Sequence, residues 1–196
     1  MRKILLLLSI YIISGFSYIH NLEWNKKEIS KADKARDISY LTENEKDVIL
    51  YLNLARMYPK KFASIEVVNW DRPSGWASLP NDIYKNSLIK SLNQINRLNP
   101  IYPDKNQYIT AACLAEEQSR SGEIGHHRKR CKDNTGAENC SYGMYTGKDV
   151  VIQLLVDQDV SSLGHRKNFL GNYSKIGVAQ KTHPKYKYCT VIDLGR

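Results

Sequence analysis

The sequence predicts an α+β domain in which helices cover a mostly antiparallel sheet. Three observations carry this. Apolar residues recur at helical spacing through the first 155 or so residues, as in Val48, Leu52 and Ala55 and again in Val150, Leu154 and Leu155. Two β-branched segments, 175–180 and 188–194, come late. His183-Pro184-Lys185-Tyr186 joins them, which reads as a hairpin. Helices first and strands last favour a layered α+β arrangement. At 196 residues and 42% apolar content the chain fits one domain with a sizeable core and excludes a disordered class.

The chain opens like an export signal. Arg2 and Lys3 are followed by an apolar run from Ile4 to Ile13, and Gly15-Phe16-Ser17 supplies small residues for cleavage, so 1–17 reads as a signal peptide. The run is short for a bilayer span, which takes about 20 apolar residues; the alternative is a retained anchor. Residues 18–40 are polar and read as an N-terminal arm or linker, with the domain proper over 41–196. Thr42-Glu43-Asn44-Glu45 has capping-box form and starts the first strong helix, which Pro59 stops. Asn53 and Arg56 are neighbours on its surface. Trp70, Pro73, Gly75, Trp76 and Pro80 mark an insertion over 66–82, either a binding lip or a loop packed on the core edge. Ile83, Leu88, Leu92 and Ile95 place a helix over about 81–98, and Asn99-Pro100 and Pro103-Asp104 turn the chain.

A helix over about 106–121 carries Ile109, Ala112, Cys113 and Glu116 on one side, and Gly122 and Gly125 let the chain leave it. His126 follows at once. After a charged loop over 128–136, Glu138 to Tyr142 reads as extended. Thr146-Gly147-Lys148-Asp149 caps the next helix. At its end stands Asp157, on the apolar face and where the helix dipole opposes negative charge by up to about 1 kcal/mol. A buried aspartate there calls for a partner, and His165 or Arg166 is near in sequence; a frayed end with Asp157 in solvent is the alternative.

The formal charge is +9, or +7 without residues 1–17, which suits anionic surfaces such as membranes, cell wall or acidic glycans. His126-His127-Arg128-Lys129-Arg130 looks like a nucleic-acid patch when read alone, but export argues against nucleic acid and favours a solvated basic loop. Cys113, Cys131, Cys140 and Cys189 suggest two disulfides in an exported chain. Three connectivities are open; local loop closure favours Cys131–Cys140, leaving Cys113–Cys189. With no CxxC pair, a structural zinc site built on these cysteines is disfavoured.

Asn53-Leu54-Ala55-Arg56, Gly125-His126, Glu138-Asn139-Cys140-Ser141-Tyr142-Gly143, Gly164-His165-Arg166-Lys167-Asn168-Phe169-Leu170 and Ile176-Gly177-Val178 stand in this order along 41–196. In order and spacing they resemble the CAP superfamily (SCP domains: cysteine-rich secretory proteins, antigen 5 and pathogenesis-related 1 proteins), most closely its compact bacterial branch. The resemblance implies a three-layer α-β-α sandwich with a cleft lined by His126, Glu138, Asp157 and His165. Two departures stand out: Ala137 replaces the glycine before Glu138, and Leu154 and Asp157 stand where the family has a tryptophan and a longer acid. His127 competes with His126 for the first position.

The resemblance implies a secreted or periplasmic, non-enzymatic binding module for a lipid, a sterol-like ligand or an anionic cell-surface partner. It also implies a divalent cation such as Zn²⁺ on His126 and His165. The alternative is a metal-dependent hydrolase in which Glu138 or Asp157 ligates the ion or acts as general base. The chain carries no H-E-x-x-H helix and no G-x-S-x-G elbow, and Ser141 and Ser161 have no claim beyond that of any loop serine. A His–carboxylate cluster that merely organises loops is the third reading.

Overall fold

The computed structural model describes residues 23–71, 83–132 and 136–196. In chain order the elements are α1 (Lys26–Ala32), α2 (Glu43–Met57), α3 (Pro59–Phe62), a π-helical turn (Ala63–Val67), α4 (Ile83–Gln94), β1 (Tyr102–Pro103), α5 (Lys105–Ser121), β2 (Ala137–Tyr142), α6 (Gly147–Val156), α7 (Gly164–Phe169), β3 (Lys175–His183) and β4 (Lys187–Gly195). The class is α+β, as predicted. The proposed signal peptide, Trp76 and the rest of 72–82 lie outside the described residues.

The helix starts follow from their caps. Thr42 Oγ1 accepts from the Glu45 amide while the Glu45 carboxylate accepts from the Thr42 amide, closing the capping box that the sequence shows. Asn25 and Glu28 do the same for α1, so the segment read as a polar arm contains a helix, and Ala32 and Ala35 enter the core. Proline at the first position of α3 ends α2 by occupying a site where no amide donor is needed.

The sheet order is β1-β3-β4-β2. β3 pairs antiparallel with β4, and β4 with β2, while short β1 runs parallel to β3. The sheet is therefore mostly antiparallel, with β2 at an edge. Alternate residues serve two apolar clusters. Val178, Ile192 and Leu194 join the large core built on α2, α4 and α6. Ala179, Val191 and Cys140 pack with Ala111, Leu114 and Ala115 of α5. Gly177 permits the close approach of α5, since a Cβ there would stand 2.0 Å from the Gln107 carbonyl carbon.

The face of α5 differs from the expectation. The buried residues are Ala111, Leu114, Ala115 and Gln118, whereas Ile109 is 55% exposed. The buried set has i, i+3, i+4, i+7 spacing and small residues that admit the sheet, a match that outweighs the hydrophobicity of Ile109. Trp70 of the proposed insertion packs on the core edge, its indole donating to Asp149 Oδ1 at 2.9 Å.

Two α2 residues tie distant loops to the core. Asn53 Nδ2 donates to the carbonyls of Ala32 and Ile101, and its Oδ1 accepts from the Ile101 amide. Arg56 donates to the carbonyls of Asn99, Phe169, Gly171 and Tyr173. Replacing fully buried Asn53 by alanine orphans three backbone groups, so Asn53→Ala is expected to lose at least about 2 kcal/mol in urea unfolding. Ile109→Ala, on the exposed side of α5, stays within about 0.5 kcal/mol of the parent. Equal losses in the two variants would remove the assigned role of Asn53.

Candidate functional site

The site forms where chain from both sides of the sheet meets at edge strand β2. The period of two along β2 sends Glu138, Cys140 and Tyr142 toward α5 and sends Asn139 and Ser141 toward α6 and α7. Asn139 is fully buried; its Nδ2 donates to the His165 carbonyl at 3.1 Å, and its Oδ1 accepts from Asn168 Nδ2 at 2.8 Å. These bonds fasten the start of α7 to the strand. Ser141 bonds to Gln153 of α6.

On the α5 side, His126 Nδ1 lies 2.7 Å from Glu138 Oε1. The imidazole is 57% exposed and the carboxylate 11% exposed. The hydrogen bond to Glu138 raises the His126 pKa above the ordinary imidazole value. On the other side His165 Nδ1 lies 2.6 Å from Asp157 Oδ1, and the Arg166 amide donates to Asp157 Oδ2 at 3.2 Å. Asp157 is buried and ends α6 in left-handed conformation (φ 56°), which aspartate tolerates better than most residues. The Arg166 side chain caps the carbonyls of Leu155 and Val156. The His126 and His165 ring centroids are 6.4 Å apart, at 34° between planes. His126, Glu138, Asp157 and His165 therefore share one locality. His127 is exposed, and its neighbour His126 makes the contact to Glu138.

Arg128 corrects the solvated reading of the basic run. Its side chain is 4% exposed and forms an ion pair with Glu138 Oε2 and another, at 3.0 Å, with Asp193 Oδ2. Thr110 Oγ1 donates to the same Asp193 oxygen at 2.5 Å. Glu138 and Asp193 are direct cross-strand partners, so two carboxylates face one another inside the protein. Burial pushes Glu138 up, but its bond to His126 and the Arg128 guanidinium outweigh it and leave the pKa below the ordinary value. Burial dominates at Asp193 and pushes it up to about 6. Arg128, Asp193 and Thr110 are site residues that the motif reading missed. The available signal was an aspartate within the apolar run 188–194, at cross-strand register with Glu138.

The cysteine expectation is corrected as well. The disulfide is Cys113–Cys131, with Cα atoms 5.7 Å apart, while Cys140 and Cys189 are free and buried. Cys113 sits on the flank of α5, beneath a loop that Glu117 anchors by accepting from the Lys129 and Arg130 amides. Cys140 and Cys189 instead stand on the sheet, pointing to the inner side of α5, where Cys189 Sγ faces the Ala115 carbonyl.

The donor set fits a divalent cation. Each histidine holds a carboxylate at Nδ1, and among the described residues neither Nε2 has a hydrogen-bond partner. Carboxylate-held Nδ1 with free Nε2 is the usual state of a metal-ligating histidine. The 6.4 Å ring separation is within about 1.5 Å of that of two imidazoles sharing one tetrahedral ion. A cavity of about 400 Å³ beside the disulfide, lined by Cys113, Glu116 and Arg120 among others, contains no member of either dyad.

Comparison with protein-family models, curated proteins and solved structures finds no match to this chain.

Burial pushes the Cys189 thiol up to about 11, and burial together with the Glu138 charge pushes Cys140 well above the ordinary thiol value. Both thiols are therefore expected to resist a thiol reagent at neutral pH and to react, two per chain, on unfolding. Non-reducing peptide mapping should recover a Cys113–Cys131 cross-link. Cross-links joining Cys131 to Cys140 and Cys113 to Cys189 would overturn the assignment.

Proposed function

We propose that this chain is an exported CAP/SCP-like module that binds an anionic cell-surface or lipid partner and holds a divalent cation between His126 and His165. The observation that carries the reading is the meeting of two His–carboxylate dyads, His126–Glu138 and His165–Asp157, with rings 6.4 Å apart at one sheet edge. The family reading is supported by the residue order set out from the sequence. It is also supported by apolar clusters at β positions of opposite parity, as a sheet between two helical layers requires.

A basic chain suits an anionic partner, and a bound cation would add to that attraction. Ile124 and Tyr145 are each 55% exposed and add apolar surface for a headgroup-level contact. Among the described residues no helix is long and apolar enough to cross a membrane, so association of this region by a single helical span is not part of the reading. When bound, the ion would supply Lewis acidity and a fixed positive charge. Glu138 and Asp157 orient the imidazoles by holding Nδ1, while Asn139 and Asn168 hold the start of α7 in place. Glu138 is committed to His126 and Arg128, and Asp157 to His165 and the Arg166 amide, which favours binding over general-base chemistry.

Calorimetric titration with Zn²⁺ is expected to give a binding event that is weakened more than about 10-fold in both His126→Ala and His165→Ala. Unchanged binding in the two variants removes the shared site. Flotation with anionic vesicles should retain the protein and lose it as salt rises, while zwitterionic vesicles do not retain it. Salt-independent retention, or none, removes the anionic partner.

A further inference from the structure

The described residues contain a second donor set, which overlaps the His126/His165 reading at His126 and Glu138 and adds Cys140. His126, Glu138 and Cys140 each offer one ligand atom, and these atoms all lie within 4.8 Å of one another. Cys140 Sγ is 3.8 Å from His126 Nδ1 and 3.8 Å from Glu138 Oε1, and those two atoms are 2.7 Å apart. A tetrahedral zinc site with bonds of about 2.0–2.1 Å to nitrogen and oxygen and about 2.3 Å to sulfur has S···N and S···O separations of about 3.5 Å and N···O of about 3.3 Å. The two sulfur distances already lie within a few tenths of an ångström of these values. The His126–Glu138 pair needs to open by about 0.6 Å, and the exposed imidazole is free to do so.

We infer that His126 Nδ1, Glu138 Oε1 and Cys140 Sγ form a binding site for a thiophilic divalent cation of the Zn²⁺ class. The donor chemistry selects the class: one thiolate, one imidazole and one carboxylate suit zinc and its neighbours, whereas magnesium and calcium prefer oxygen alone.

The surrounding charges fit. Glu138 and Asp193 carry two negative charges and Arg128 one positive charge, all within one hydrogen-bonded group. Ionised Cys140 brings the net to two negative charges, which a divalent cation neutralises. Arg128 keeps its hold on Glu138 Oε2 while Oε1 faces the ion, so the carboxylate is oriented by a second partner. The thiol gives up its proton to solvent on metal binding, and the S–H bond is replaced by a metal–sulfur bond with no change of oxidation state.

A nucleophilic role for this cysteine does not fit. Cys140 is buried among Ala111, Leu114, Ala115, Ala179 and Val191, and apolar burial disfavours the thiolate that a nucleophile must present. An ion supplies the missing charge directly and enters from the exposed side, past His126. Position 140 lies in the strand facing α5, so the sulfur is held by the backbone register and not by a loop.

The site shares His126 with the cleft proposed above but uses the other ring nitrogen and does not need His165. Co²⁺ distinguishes the two. Added to the full-length protein, purified without thiols, Co²⁺ is expected to give a near-ultraviolet thiolate-to-cobalt charge-transfer band. The band should disappear in Cys140→Ser and His126→Ala and persist in His165→Ala and Cys189→Ser. The Zn²⁺ binding that persists in His165→Ala should be weakened by more than about 10-fold when Cys140→Ser is added.

Should Cys140→Ser fail to fold, X-ray absorption on the zinc-loaded parent gives an independent answer. One sulfur at about 2.3 Å supports the site, and a shell of nitrogen and oxygen only overturns it. Cobalt uptake without the band overturns the cysteine ligand and leaves the His126/His165 cleft standing. A band that survives Cys140→Ser overturns the assignment to Cys140. A band lost in both Cys140→Ser and His165→Ala overturns the separate three-donor site. No uptake of either metal overturns both readings.

Discussion

Because β2 lies at the edge of the sheet and alternates its side chains with a period of two, adjacent residues commit to opposite sides of the fold. Glu138 reaches the loop after α5, and Asn139 reaches the start of α7. Both histidines are fastened to these neighbours, one through its ring and the other through its backbone carbonyl, so their approach depends on the register of β2 against β4. A slip of one residue would send Glu138 toward α7 and Asn139 toward α5 and would break both attachments at once. The register is fixed by what lies beyond the site: Cys140 opposite Val191 in the α5 cluster, and fully buried Asn139 opposite Ile192 on the core side.

That register brings Glu138 directly opposite Asp193, and like charges at a cross-strand pair are unfavourable. Arg128 resolves the conflict from a loop otherwise held by the Cys113–Cys131 bridge and by Glu117. Removing one member of so buried a group typically costs about 3–5 kcal/mol, because a charge is left without its partner. The loop 126–132 is therefore pinned at both ends, and exposed His126 is held at Glu138 by the neighbours of Arg128 as much as by its own bond.

Much of this was legible in the sequence. The capping box at Thr42, the stop at Pro59, the hairpin of β3 and β4 and the extended Glu138 segment follow from local chemistry and stand where expected. Asp157 was also legible, since an aspartate on an apolar face at a helix C-terminus requires a partner, and it faces His165. What was not legible depends on long-range packing. Local spacing favoured Cys131–Cys140, but sequence distance carries no information on which side of α5 each thiol lies. The run His126 to Arg130 reads as uniformly solvated because nothing local singles out Arg128; its partners come from Glu138 and from Asp193, 65 residues away. Ile109 misled the reading of α5 because hydrophobicity was weighed above the small residues that permit close contact with a sheet.

The two histidines are held by unlike means, and the difference bears on what the locality can do. Two residues before His165 stands Leu163, whose left-handed backbone (φ 51°) costs roughly 1–2 kcal/mol in a residue with a Cβ. That conformation persists because Arg166 locks the turn, donating to Leu155, Val156 and Tyr84 carbonyls and to Ser87 Oγ, while Asp157 takes the adjacent amide. His165 is thus presented by a rigid, over-determined corner at 23% exposure. His126 stands at 57% exposure with one ring nitrogen toward Glu138 and the thiol of Cys140 and the other ring nitrogen free. A ligand entering between the rings would meet one wall fixed by Arg166 and one formed by an exposed side chain, so adaptation to ligands of different size would fall to His126 and its cost to the Glu138–Arg128–Asp193 group behind it.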